Sequence, residues 1–146
     1  MPTDTSPAPR GDGAEAEQDE QGRSASQQIT DSMVRLYKEQ FGRGPTRVRT
    51  YWCGSDLITV TLDDTFTPAE RNLAKMGEHQ RLRDLRLFFQ YASVREFCEP
   101  VEEITGRKVR AFVSGIDTEA AGFAIEVFSL HPEDYDGPSR TIHAEL

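Results

Sequence analysis

The residues best suited to binding an anion lie around two turns that contain glycine. The first turn is GRGP at positions 42–45, and the second is GRK at positions 106–108. Backbone N–H groups of a glycine-rich turn and the fork of a guanidinium both favour oxyanions. A structural explanation competes, because a helix-stopping glycine followed by a proline accounts for the first turn except for Arg43. The anion-binding candidates are Arg43, Gly44, Arg47, Arg49, Arg107 and Arg110.

These arginines would converge if both turns lie at the same end of a sheet. A small oxyanion, a nucleotide phosphate or an acidic protein surface would then suit them. The alternative is exposure to solvent, with salt bridges to Glu102, Glu103 or Glu126. An enzyme with a site between subunits would instead line its pocket with Arg43, Arg107 and Glu103. Both interpretations stay open at the level of sequence.

Familiar catalytic patterns do not occur in the sequence, which has no GxSxG, Walker loop, dinucleotide fingerprint or His-Glu metal motif. Glu70 is needed for a predicted capping box, and the adjacent Glu102 and Glu103 would point about 100° apart on a helix. Cys53 and Cys98 are far apart and have no metal-ligand spacing. We therefore predict no catalytic residues, no metal, no cofactor and a protein that is not an enzyme.

Negative charge is concentrated at the two ends of the chain. Residues 1–23 carry six acids and two arginines, a net −4, and contain no Val, Ile, Leu, Phe, Trp or Tyr. Residues 131–146 carry four acids and one arginine, a net −3, which leaves −1 of the chain's −8 for residues 24–130. Segments with so little apolar surface are predicted to be disordered. We predict a disordered acidic tail over 1–23, one domain over 24–130 and a flexible tail over 131–146.

The same composition indicates where the protein acts. A nearly neutral core gives no reason to expect a nucleic-acid partner. Residues 1–23 lack the apolar segment of a signal peptide, and no apolar run approaches the ~20 residues that a membrane helix needs. We expect a soluble cytoplasmic protein that does not insert into a membrane.

Apolar periodicity and turn residues predict the element order α-β-β-α-α-β-β. Thr67, Pro68 and Glu70 together mark the start of a short helix. Pro100 predicts a kink or a break in the long helix that follows. The predicted helices cover 26–41, 68–77 and 78–105, and the predicted strands cover 46–52, 56–62, 108–114 and 122–130. The predicted apolar stripe of the long helix is Leu82, Leu85, Phe89, Ala92, Phe97, Val101 and Ile104.

Two α-β-β halves with similar joints suggest an internal repeat. Each joint has a helix-stopping glycine, an arginine and then a strand in which Val precedes Arg. We predict an α+β fold in which two hairpins pair into a four-stranded antiparallel sheet with helices on one face. The other face would carry large apolar groups, which favours self-association, most simply as a dimer. The interface candidates are Tyr51, Phe112, Phe128 and Leu130.

Several separated motifs resemble those of the MpsC-type family, a group of small bacterial proteins long catalogued as a domain of unknown function. The resemblance covers about residues 27–131, and this chain departs from it in its acidic N-terminal segment and at Pro100. The motifs are Tyr37-Lys38-Glu39 with residues 41–45, Leu62 with residues 67–71, Val101-Glu102 through Val109, and Glu126-Val127-Phe128.

The family name implies a soluble accessory or regulatory partner of a membrane cation-translocating or bicarbonate-uptake system. The family supplies no catalytic residues to carry over to this chain. Two alternatives stay open beside this one. One is the small-molecule or anion-binding enzyme with an intersubunit site. The other is a weak nucleic-acid-binding module that would use Arg47, Arg49 and Arg110, with base stacking on Tyr51 and Phe112.

Overall fold

A computed structural model describes the backbone of residues 12–140 and the side chains of residues 25–140. Within these residues the chain forms a four-stranded antiparallel sheet with helices packed on one face, which confirms the predicted α+β class. The elements are α1 (Asp12–Phe41), β1 (Arg47–Trp52), β2 (Leu57–Asp63), α2 (Pro68–Lys75), α3 (His79–Ala92), α4 (Val94–Thr105), β3 (Val109–Asp117) and β4 (Phe123–Leu130).

Helix α1 buries one apolar side against the sheet. Three residues spaced by four positions are at most 1% exposed: Ile29, Met33 and Tyr37. The helix stops before Gly42, whose φ of 74° is the left-handed conformation that glycine adopts without strain. The predicted apolar face and the predicted stop are therefore confirmed.

The start of α1 differs from the prediction. The helix begins at Asp12 and not near Ser26. Residues 14–21 are rich in Ala, Glu and Gln, which are strong helix formers. The backbone over 12–23 is helical, and the rest of the predicted tail, 1–11, lies outside the described residues.

The sheet joins the two predicted α-β-β halves at its centre. Its strand order is β1-β2-β4-β3, so β2 and β4 form the central antiparallel pair and β1 and β3 are the edges. In register, Tyr51 pairs with Thr59, Thr59 with Val127, and Val127 with Val113. Because the central strands are antiparallel, the two hairpins point in opposite directions, and β1 and β3 begin at opposite ends of the sheet.

The long predicted helix is broken at Ser93 and not at Pro100. Ser93 ends α3 and precedes α4, and its N–H is shared between the carbonyls of Phe89 and Gln90. Pro100 lies inside α4, which continues through it to Thr105. The helix is in two pieces, but the division lies seven residues before Pro100, so the predicted position and cause of the break are wrong. The capping box at the start of α2 is present, with reciprocal bonds between Thr67 and Glu70.

The two faces of the sheet are assigned differently from the prediction. Phe112, Phe128 and Leu130, predicted as interface residues, are all within 5% of full burial beneath the helices. A bulge between Val109 and Ala111 shifts the alternation of β3, so that Phe112 turns to the helix side. In β4 both faces are apolar, so alternation alone did not identify the buried one. The sheet interface predicted from these residues is therefore wrong.

The face without helices still carries apolar groups, but they are different ones. Tyr51 is 45% exposed and Val113 is 55% exposed, and they lie in the same cross-strand row as Thr59 and Val127. We call this surface the open sheet face. Of the predicted interface residues, Tyr51 is the one that lies on it.

The segment 131–140, part of the predicted flexible tail, packs against the domain. Arg107 Nε and Nη2 donate to the carbonyl of His131 at 2.9 and 2.6 Å. Lys108 Nζ donates to the carbonyl of Gly137, and Ser139 is 7% exposed. Composition did not reveal these contacts because they are made mainly by the backbone of the segment. The rest of the predicted tail, 141–146, lies outside the described residues.

Replacement of Gly122 with Ala is expected to lower the free energy of unfolding by about 2 kcal/mol. Gly122 has a φ of 77°, and a Cβ there would lie 2.6 Å from the ring of Phe66. Gly54→Ala is the matched control, because its φ is 78° but nothing lies within 4 Å of the added Cβ. Urea unfolding of both variants separates backbone strain from the clash. Equal losses for the two variants would contradict the role given to the ring.

Candidate functional site

The polar side chains of the core meet at Glu126, in the middle of the central strand β4. Glu126 is fully buried, and its register partners are Val60 in β2 and Ser114 in β3. Tyr37 of α1 donates its hydroxyl to Glu126 Oε1 at 2.7 Å. Gln90 Nε2 of α3 donates to the same oxygen at 3.0 Å and to the Tyr37 hydroxyl at 3.1 Å. We call Glu126, Tyr37, Gln90 and Ser114 the carboxyl cluster.

The carboxyl group of Glu126 has a raised pKa within this cluster. Burial raises the pKa of Glu126 to about 7, because ionisation is opposed where water cannot solvate the charge. Ser114, Tyr37, Arg86 and Gln90 oppose this rise only in part. Burial, followed by the charge of Glu126, raises the pKa of Tyr37 well above its ordinary value. Near neutral pH the cluster can therefore exchange one proton on Glu126.

The cluster is incompletely hydrogen-bonded. Glu126 Oε2, Gln90 Oε1 and Ser114 Oγ are buried and have no hydrogen-bond partner among the described residues. The hydroxyl of Ser114 is near enough to lower the pKa of Glu126, but the pair lacks the geometry of a hydrogen bond. Protonation of Glu126 would add a hydrogen-bond donor to a cluster in which buried acceptors have no partner.

A buried ion pair lies next to the cluster and links α2 to α3. Arg86 is 1% exposed, and its Nε and Nη2 donate to the two oxygens of Glu70 at 2.8 and 2.5 Å. Arg86 also donates to the hydroxyl and the carbonyl of Thr65 at 3.0 and 2.9 Å. Its guanidinium carbon lies 4.2 Å from the centroid of the Phe41 ring. Glu70 thus has two structural roles, in the capping box and in the ion pair.

The predicted anion-binding residues do not converge. Arg43 and Arg107 lie at opposite ends of the sheet, because the two hairpins run in opposite directions. Arg43 donates to the Phe66 carbonyl at 2.9 Å and to Asp64 at 3.1 Å. Arg107 donates to Asp56 at 2.6 Å and holds the pKa of that carboxyl below its usual value. Through these hydrogen bonds each arginine connects the joint between a helix and a strand to neighbouring loops.

The remaining arginine candidates lie on opposite edge strands. Arg47 and Arg49 are exposed on β1, whereas Arg110 is on β3 and donates to Ser129 Oγ at 2.9 Å. The stacking residue proposed beside them, Phe112, is buried on the other face of the sheet. The structure therefore does not assemble the nucleic-acid surface that these residues would need.

Gly44 and Glu103 have local roles. A Cβ on Gly44 would lie 2.9 Å from Lys38 Cε, so the glycine leaves room for that side chain. Glu103 lines a groove of about 510 Å³ between α1 and α4, together with Asp31 and Glu39. Within one chain Arg43, Arg107 and Glu103 do not come together, and the pocket between subunits stays a prediction.

The residues that sequence reasoning missed are the polar ones on the buried side of α3. Within α3 the predicted stripe is correct at Leu82 but wrong at Leu85, Phe89 and Ala92, which are all exposed. The buried residues are instead Leu82, Arg86 and Gln90. Leu82, Arg86 and Gln90 are spaced by four residues in the sequence, but the apolar residues between them predicted a different buried side of the helix. Helix α3 therefore turns polar groups inward and aromatic groups outward.

Two further features are absent from the part of the chain that the structure describes. None of the described helices is both long and apolar enough to span a bilayer. No group of three or more His, Cys, Asp or Glu side chains in the described part of the chain could hold a metal ion.

Comparison with known proteins gives one match. The family model described as "Na+-translocating membrane potential-generating system (MpsC)" matches residues 21–131 of the 146-residue chain. No curated protein and no solved structure matches. The match spans both α-β-β halves and includes the carboxyl cluster and the Arg86–Glu70 ion pair.

Proposed function

The chain belongs to the MpsC family, and from that premise we propose that it is an accessory or regulatory protein of a membrane cation-translocating system. It acts by contact with a component of that system and not by catalysis. In this proposal it works from the cytoplasmic side of the membrane. The family match over 21–131 is the observation that carries the proposal.

The placement of the polar chemistry favours contact over catalysis. Glu126, Tyr37 and Gln90 are within 1% of full burial, so a substrate would reach them only if the core opened. A general acid or base must come within hydrogen-bond distance of its substrate. Arg43 and Arg107, which an anion-binding enzyme would use, are each bonded to carboxylates and backbone carbonyls. These contacts make the enzyme alternative the weaker one.

The external surface is suited to a protein partner. Apolar side chains are exposed on the open sheet face, among them Tyr51 at 45% and Val113 at 55%. Exposed apolar patches of this kind mark sites where proteins associate. Such a partner would be a component of the translocating system that the family description names.

The proposal predicts a stoichiometric effect on membrane potential. Inside-out vesicles from cells that lack the gene for this protein should lose Na⁺-dependent potential, measured with a voltage-sensitive dye. Purified protein should restore the potential in proportion to the amount added, until each copy of the membrane component is occupied. A protein that acts by binding saturates in this way, whereas an enzyme needs far fewer copies.

Two results would contradict the proposal. One is an unchanged Na⁺-dependent potential in vesicles that lack the protein. The other is full recovery at amounts far below one copy per membrane component, which would indicate turnover. Addition of heat-unfolded protein at the same concentrations is the control for non-specific effects on the dye.

A further inference from the structure

Helix α3 exposes the side that a surface helix normally buries. Leu85, Phe88 and Phe89 are 45%, 69% and 49% exposed, while Arg86 and Gln90 are buried. The rings of Phe88 and Phe89 contact each other edge to face, with centroids 5.8 Å apart. Clustered aromatic residues left in water mark an interaction surface. We call these three residues the α3 patch.

An apolar groove lies directly beside the α3 patch. It has a volume of about 250 Å³ and lies between α1, α2 and α3, with Phe41, Leu73, Leu85 and Phe89 among its lining residues. A cavity of about 150 Å³ is enough to hold a benzene ring. The groove can therefore accept a phenyl side chain such as that of Phe88, which protrudes from the same surface.

A protruding ring next to a groove that fits it makes the surface self-complementary. We propose that two copies of this chain pair through antiparallel α3 helices, with a two-fold axis between Phe88 and Phe89. Each copy places its Phe88 in the groove of the other copy. Contacts of this kind occur twice in a two-fold dimer, so one patch supplies both halves of the interface. This inference does not depend on the proposed function.

The charges around the patch fit the same arrangement. Arg81 lies seven residues before Phe88, and Glu96 lies seven residues after Phe89. Arg81 has a side chain that is 80% exposed, and Glu96 is also exposed. Glu96 lies in α4, beyond the break at Ser93, so an antiparallel crossing between Phe88 and Phe89 brings Arg81 towards the partner's Glu96 only where α4 keeps the direction of α3.

The dimer is tested by analytical ultracentrifugation of the full chain over a range of concentrations. We expect a reversible dimer, and Phe88→Asp should raise its dissociation constant at least about 30-fold, as for the central residue of an interface. Val113→Asp on the open sheet face is the matched control, because Val113 is also more than half exposed. It should leave the dissociation constant unchanged. Thermal melting establishes that both variants are folded.

A charge reversal tests the orientation of the helices. Arg81→Glu should weaken the dimer, and the double variant Arg81→Glu with Glu96→Arg should restore it, because the cross-dimer pair is rebuilt with reversed signs. A monomer at every concentration would overturn the proposal. So would a dimer that Phe88→Asp leaves intact and Val113→Asp dissociates, since the open sheet face would then be the interface. A double variant as weak as Arg81→Glu would overturn the pairing of Arg81 with the partner's Glu96.

Discussion

Replacement of Arg86 with Met is expected to lower the free energy of unfolding by about 3–5 kcal/mol, because it leaves a buried carboxylate without its partner. Glu70 is 6% exposed, and both of its oxygens receive bonds from Arg86. The substitution also removes two bonds to Thr65 and the contact with the ring of Phe41. Chemical unfolding monitored by circular dichroism measures the loss.

A double variant separates the cost of the unpaired Glu70 carboxylate from the cost of the packing contacts that Arg86 loses. Glu70→Gln is neutral, and glutamine can still complete the capping box with Thr67. The double variant Arg86→Met with Glu70→Gln should therefore be more stable than Arg86→Met alone by at least about 1 kcal/mol. If the double variant is the less stable one, the buried charge is not the main cost. A loss below about 1 kcal/mol in Arg86→Met would contradict the assigned role of the ion pair.

The free energy of unfolding is expected to fall as the pH rises from about 5 to 8, by on the order of 3 kcal/mol from Glu126 alone. The folded protein holds the proton on Glu126 up to a pKa of about 7, whereas the unfolded chain releases it near the ordinary value of 4.5. Between these two values the folded state binds more protons, so stability decreases with pH. The stabilisation is fully present below the unfolded pKa and is lost as the pH passes through the folded pKa.

Glu126→Gln tests this prediction directly. The amide resembles the protonated carboxyl and does not ionise, so the variant should be close to the natural protein at pH 5. At pH 8 it should be more stable, by on the order of 3 kcal/mol. Urea unfolding at pH 5, 6, 7 and 8 gives both slopes. Glu119→Gln, at an exposed turn, is the control and should keep the slope of the natural protein. A natural protein whose stability rises over this range, or a Glu126→Gln variant with the same slope, would refute it.

The carboxyl cluster connects this pH dependence to the rest of the fold. Tyr37 comes from α1, Gln90 from α3 and Glu126 from the central strand, so one proton affects contacts among three elements. Gln90 lies on the buried side of α3, and Phe88 and Phe89 lie on its exposed side. A change in the position of α3 would therefore alter the α3 patch as well as the core.

Local signals in the sequence determined much of the fold. The glycine after α1, the capping box at Thr67 and Glu70, and the apolar face of α1 each depend on residues within a few positions of one another. Two hairpins with helix-stopping joints were also sufficient to predict a four-stranded antiparallel sheet with helices on one face. Interactions of this short range act alike in any tertiary context, so the amino-acid order alone specifies them.

Contacts between distant segments decided what the sequence left open. The bulge in β3 turned Phe112 to the buried side, and pairing of β2 with β4 separated Arg43 from Arg107. Arg86 and Gln90 can be buried because Glu70 and Glu126 accept their hydrogen bonds. These partners lie 16 and 36 residues away along the chain. A polar side chain enters a core when distant groups satisfy its hydrogen bonds, and those groups come together only in the folded chain.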